Sequence, residues 1–197
     1  EISHRIREDG IHVMVYLGGH FHENRPTVAA YRPAPVQVAM HGGATTALDE
    51  MDFWLTDDVL HPDSYPELFF EELFRLPNFY AYPAPEDAPA VARFAAEDNG
   101  FITFASCNKP CKINAGVVDW WARVLLAVPG SRLRMKFTNH WECPTLRDKL
   151  LGRIEANGVS RARVDLISAI DTFHDHLACY HKADIGLDLF PFAGATT

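Results

Sequence analysis

F-I-T-F-A-S-C-N-K-P-C-K-I-N-A-G-V-V-D-W-W-A-R-V-L-L, Phe101 to Leu126, is the stretch whose reading decides the fold class. It opens on Phe101, Ile102, Thr103 and Phe104, a short apolar run rich in β-formers that predicts a buried strand. Ala105, Ser106 and Asn108 then break the run, and Lys109 and Lys112 flank a proline. Val117, Trp120, Trp121, Val124 and Leu125 follow at helical spacing. The order is therefore strand, cation-bearing loop, helix. In open α/β sheets ligands bind outside the carboxyl ends of the strands, and a cation there suits an anion such as a phosphate. An ordinary surface loop with two solvated lysines is the plainer alternative.

The same alternation extends in both directions. Residues 1–9 read as a helix closed by Asp9-Gly10, and Ile11 to Leu17 as a buried parallel strand that empties into Gly18-Gly19-His20. Pro26 to Tyr31 suits a short helix, Val36 to Met40 and Met51 to Leu55 two further strands, and Glu67 to Leu76 a packed helix or irregular core segment. Tyr82 to Pro89 holds three prolines and two acids in eight residues and reads as a connector, which divides the chain into 1–85 and 86–197. Beyond it, strands are expected at Leu133 to Phe137, Val164 to Ile167 and Ile185 to Leu189. Helices are expected at Pro144 to Asn157 and Asp171 to Lys182. The fold class is α/β with parallel sheets and right-handed crossovers.

Composition narrows the function. A hydrophobic content of 48% is enough for a sizeable core, and no apolar run approaches the roughly 20 residues that span a bilayer. A net charge of −8 argues against nucleic-acid binding. The four cysteines are irregularly spaced, which disfavours a disulfide framework and fits a reducing, cytoplasmic setting. Cys107-x3-Cys111 could begin a zinc site, but no second closely spaced ligand pair completes it. The opening Glu1 lacks a methionine and no helix follows the final loop, so the chain reads as a fragment.

Candidate site residues cluster at strand ends. His20 follows a strand and is placed for proton transfer or hydrogen bonding. Asn108, Lys109 and Lys112 occupy the loop described above. Gly194, Thr196 and Thr197 offer a glycine loop with two hydroxyls, a phosphate-binding composition where a helix would follow. His174 and His176 lie two apart and cannot share a helix face, which counts against a two-histidine metal site; one directed at a ligand and one solvated is expected.

Seven pieces in a fixed order then carry a resemblance. They are D-G-I-H-V-M-V (Asp9 to Val15), G-H-x-x-x-N-R (Gly19 to Arg25), R-P-A-P-V-Q (Arg32 to Gln37) and M-D-F-W-L-T-D (Met51 to Asp57), followed by C-N-K-P-C-K-I (Cys107 to Ile113), H-L-x-x-Y-H-x-A-D-I-x-L-D (His176 to Asp188) and F-P-F-x-G-A-T-T (Phe190 to Thr197). Together they resemble the catalytic region of the protein O-linked N-acetylglucosamine transferases in their bacterial form.

The resemblance implies a GT-B fold. Residues 1–85 would end an amino-terminal catalytic lobe, 86–197 would begin a nucleotide-binding lobe, and UDP-N-acetylglucosamine would bind between them as a substrate with no cofactor or metal. It implies inverting transfer of the sugar to a Ser or Thr hydroxyl of a protein acceptor, and tetratricopeptide repeats upstream in the parent chain. Lys112 resembles the diphosphate-contacting lysine, Lys109 and Asn108 fall near the nucleotide, His176 resembles a histidine beside the nucleoside, and Thr196 and Thr197 resemble a hydroxyl pair at the diphosphate. His20 falls in the active-site loop of the first lobe. The chain departs from the family at Ala195, where animal members have histidine, at Phe173, where a lysine is expected, and across Met40 to Thr46. Those departures keep open a transferase with another donor or acceptor, and a catalytically silent nucleotide-binding module.

Overall fold

A backbone strand buries its N–H and C=O groups only by pairing, and among the described residues all the strand pairing is parallel. The computed structural model describes residues 1–197 except 21–23, 42–43, 65, 80–82, 84, 171 and 195–197. Two units result, Glu1–Pro83 and Ala84–Thr197.

The first unit runs α1 (Ile2–Glu8), β1 (Val13–Leu17), a 3-10 turn (Pro26–Tyr31), β2 (Val36–Met40), β3 (Phe53–Thr56) and β4 (Glu72–Arg75), with sheet order β1-β2-β3-β4. One face of the sheet packs Tyr16, Ala39 and Trp54 against Ala29 and Met51. Two expectations fail here. Glu67 to Leu76 is no helix: the irregular reading holds up to Glu71, but the rest is β4, paired with β3 from Phe53↔Glu72 to Thr56↔Arg75. The run of apolar residues fits either period, and the parallel partner decides it. β1 is not buried on both faces either, since it lies at the sheet edge with Val13, Val15 and Leu17 at 54%, 45% and 61% exposure.

The R-P-A-P-V-Q…M-D-F pieces turn out to be a lock between β2 and β3. Arg32, in the left-handed region at φ 42°, donates to the Glu50 carbonyl at 3.0 Å and to Asp52 Oδ1 at 2.6 Å. Asp52 Oδ2 accepts from the Gln37 amide at 2.8 Å. The wholly buried Gln37 side chain donates to the Ala29 and Glu50 carbonyls and accepts from the Tyr16 hydroxyl. Burial pushes that phenol up to about 12.

The second unit runs α2 (Ala95–Asn99), β5 (Thr103–Ser106), a 3-10 turn (Pro110–Lys112), α3 (Ala115–Ala127), β6 (Arg132–Lys136), α4 (Pro144–Ala156), β7 (Val164–Ile167), α5 (Phe173–Ala178) and β8 (Ile185–Gly186), with sheet order β7-β6-β5-β8. β5 is buried at every position, as its composition requires. Phe104, Leu133 and Met135 pack against Val117, Trp121 and Leu125 of α3 and Leu150 and Ile154 of α4. The opposite face of β6 carries Arg132, Arg134 and Lys136, because alternate residues share a face. The helix expected from 171 to 182 is shorter: α5 gives way to a 3-10 turn at Cys179–Lys182. β8 is two residues rather than five, because Asp188 turns its carboxylate onto the Leu189 and Gly194 amides, both at 2.8 Å.

Candidate functional site

The loop leaving β5 and the loop leaving β8 meet over the carboxyl end of β5. β5 and β8 are parallel neighbours, Phe104↔Ile185 and Ala105↔Gly186, so both loops emerge on the same side. Asn108 is buried and donates to Ser106 Oγ at 3.4 Å. Its amide lies so near Gly194 that a Cβ there would stand 2.7 Å from Asn108 Oδ1, so a larger residue at 194 would force the Asn108 side chain or the loop to shift.

Lys112 and Asn114 hold the same loop from the other side. The Lys112 ammonium donates to the Ala193 carbonyl at 3.3 Å and lies 4.3 Å from the centroid of the Phe192 ring. Asn114 serves two purposes. Its Oδ1 accepts from Val117 N at 3.1 Å and so caps α3, while its Nδ2 donates to the Phe190 carbonyl at 2.7 Å. Asn108, Lys112 and Gly194 are thus brought together. Lys109 is exposed at the head of the 3-10 turn. Thr196 and Thr197 lie outside the described residues.

His176 sits on α5, whose start is capped by Thr172 accepting from Asp175 N at 3.0 Å. Its Nδ1 lies 2.7 Å from the Lys136 ammonium, and its ring contacts Phe173 and Tyr180 at centroid distances of 6.0 and 5.8 Å. Burial first, and the Lys136 charge second, hold the imidazole pKa below its ordinary value. Burial and the Cys107 side chain push the Tyr180 phenol upward. His174 turns instead to Asp175 at 3.5 Å and is half exposed. Lys136 was missed by sequence reasoning because it ends a strand with no motif around it; the alternation Arg132, Arg134, Lys136 was the only signal.

His20 belongs to the first unit. Its Nε2 is 2.8 Å from the Thr45 carbonyl, which can only accept, so Nε2 carries the proton and Nδ1 is left as an acceptor for a hydroxyl. The Thr45 loop is itself fixed by the buried Glu71 carboxylate, which accepts from Thr45 Oγ1 at 2.5 Å, Thr46 N at 2.7 Å and Thr46 Oγ1. Among the described residues no group of three His, Cys, Asp or Glu side chains is placed to hold a metal, Cys107 and Cys111 included. No helix among them is long and apolar enough to cross a membrane.

Residues 1–82 match the family model of glycosyl transferase family 41. The whole chain is 43% identical to a probable UDP-N-acetylglucosamine–peptide N-acetylglucosaminyltransferase SPINDLY of Petunia hybrida and 42% identical to that of Arabidopsis thaliana, over 21% and 22% of those proteins. It spans about a fifth of the length of these curated relatives. Among solved structures it is similar to a mutant Thermobaculum terrenum O-GlcNAc transferase, with a TM-score of 0.84 and 34% identity over 99% of this chain and 37% of that one. The α/β architecture with parallel sheets is therefore that of a GT-B transferase.

Proposed function

This chain belongs to glycosyl transferase family 41, and from that premise we propose that it is part of an inverting protein glycosyltransferase that moves N-acetylglucosamine from UDP to Ser or Thr hydroxyls. The observation that carries the reading is the pinned loop. Phe190 and Ala193 are tied to Asn114 and Lys112, and Gly194 lies close against Asn108, over the end of β5, where parallel sheets bind nucleotides. A departing UDP gathers negative charge on its phosphate oxygens, and preorganised donors lower that barrier without having to reorient.

Each residue then has a part. Lys112 has ammonium protons to spare beyond its bond to Ala193 and neutralises the diphosphate. Asn108 lies against the glycine loop, Lys109 adds positive potential at the rim, and the Thr196 and Thr197 hydroxyls are assigned to the diphosphate from the sequence resemblance alone. His176 flanks the nucleoside. His20, with Nδ1 open, orients the acceptor or the sugar. The donor is a substrate, and the proposed reaction uses no metal or other cofactor. Tetratricopeptide repeats elsewhere in the polypeptide, a bacterial-type short connector between units and a cytoplasmic location belong to the same proposal.

A second reading, a different nucleotide-sugar donor, is favoured by Phe173, whose ring lies against His176 where the family resemblance leads one to expect a lysine. Calorimetric titration of UDP into the intact polypeptide, with Lys112→Ala beside it, tests the first reading. Saturable binding weakened about tenfold, near 1.4 kcal/mol, supports it. Absence of binding by folded protein sinks it. Mass spectrometry of an acceptor protein incubated with a panel of UDP- and GDP-sugars separates the two donors and exposes a silent module, which would transfer none.

A further inference from the structure

The cation that the strand alternation places at the end of β6 has no counter-charge among the described residues. Among the described residues no carboxylate pairs with Lys136, and those on the neighbouring elements are engaged elsewhere. Asp165 holds Arg132 at 2.7 Å, Asp175 accepts from Thr172, and Asp184 accepts from the Ala96 and Thr103 amides at 2.9 and 2.8 Å. Asp188 accepts from the Leu189 and Gly194 amides. A partly buried ammonium with a neutral partner keeps its full charge available to a ligand.

The bond to His176 sets what the pair can offer. An ammonium can only donate, so Nδ1 accepts and the ring proton sits on Nε2. The ring is held between Phe173 on its own helix and Tyr180 on the following turn, which fixes where that N–H points. The titratable groups against His176 are then Lys136 from β6 and Tyr180 from the turn with Cys107 behind it, while Asp175 and His174 along α5 turn to each other. The Lys136–His176 pair therefore presents donors only. β6 lies beside β5, Ser106 opposite Met135, so Lys136 emerges at the same end of the sheet as the loop that bears Asn108 and Lys112.

We propose that Lys136 contacts the bound nucleotide and, with His176, selects an oxygen-rich acceptor group on it. This rests on the nucleotide-binding reading given above. A donor-only pair favours a base edge that presents carbonyl oxygens and disfavours one that presents an amino group, as base-edge recognition elsewhere requires. The same chemistry would also take a phosphate oxygen, and the test separates these two sources.

UDP, CDP and pyrophosphate are titrated calorimetrically into the intact polypeptide, as wild type, Lys136→Met, Lys136→Arg and Lys112→Ala. Lys136→Met is expected to weaken UDP about tenfold or more, with Lys136→Arg retaining most of the affinity. A loss confined to UDP assigns the contact to a base carbonyl, and an equal loss for all three assigns it to phosphate; either supports the proposal. Unchanged affinities in Lys136→Met, with Lys112→Ala weakened, overturn it and leave the nucleotide site standing. If wild type binds none of the three, both readings fall together. A measurement that needs no variant is the ¹⁵N–¹H spectrum of the His176 ring in wild-type protein. The expected result is an Nε2–H signal that shifts on addition of UDP, and a signal that does not move overturns the proposal.

Discussion

At the scale of single residues, Gly194 and His176 make the sharpest predictions. A methyl at 194 would stand 2.7 Å from the buried Asn108 amide oxygen, so one of the two loops must give way. Gly194→Ala is expected to cost about 1–3 kcal/mol of stability, the usual range for overpacking. Much of that loss should be recovered in the Asn108→Ala background, a coupling that urea melts of the double-mutant cycle measure. His176 predicts a pH dependence. Its folded pKa lies below the 6.5 of a free histidine, so just under that pH the unfolded chain takes up a proton that the folded chain refuses. Stability must therefore fall as pH drops through 6.5 toward the lowered value, and level off below it. Thermal melts of wild type and His176→Gln at pH 8 and pH 5.5 should show a smaller acid loss in the variant. None of this was visible from residue types: the sequence nominated His176, but not the ammonium 2.7 Å from it.

At the scale of elements, Asn114 and Gln37 each join two pieces of backbone. Removing the Asn114 side chain uncaps α3, worth about 1 kcal/mol, and frees the Phe190 carbonyl. Asn114→Ala should lower the urea midpoint of the second unit by that order and weaken UDP further than the stability loss explains, because the pinned loop goes with the cap. Gln37→Leu strands two carbonyls and the Tyr16 hydroxyl inside the first unit, and each such group costs about 1–3 kcal/mol. Fluorescence of Trp54, in the same core, reports that unfolding. The elements were legible in proportion to their unambiguous periodicity. β2 and α1 fall where the pattern places them, and the apolar run of β5 and the spaced face of α3 locate both to within a few residues. β4 was misread because Leu68, Phe69, Phe70, Leu73 and Phe74 satisfy a helix as well as a strand until β3 offers its edge.

At the scale of the whole molecule, each unit has an apolar core of its own among the described residues. The outer face of the first sheet leaves Val13, Val15 and Leu17 about half exposed on an edge strand, an arrangement prone to self-association. Val15→Lys in the isolated 197-residue chain should reduce association measured by light scattering while leaving the melting temperature almost unchanged. By itself the sequence determined the parallel α/β class, the family, and the loops that carry Asn108, Lys112 and Gly194. Those features follow from local periodicity, backbone-restricting residues and short ordered motifs, all of them properties of neighbours along the chain. Tertiary structure alone decided that Gly194 lies against Asn108, that R-P-A-P-V-Q and M-D-F form one hydrogen-bonded lock, and that Lys136 meets His176 across 40 positions. Contacts between side chains distant in sequence depend on strand register, and register is settled only when the sheets pair.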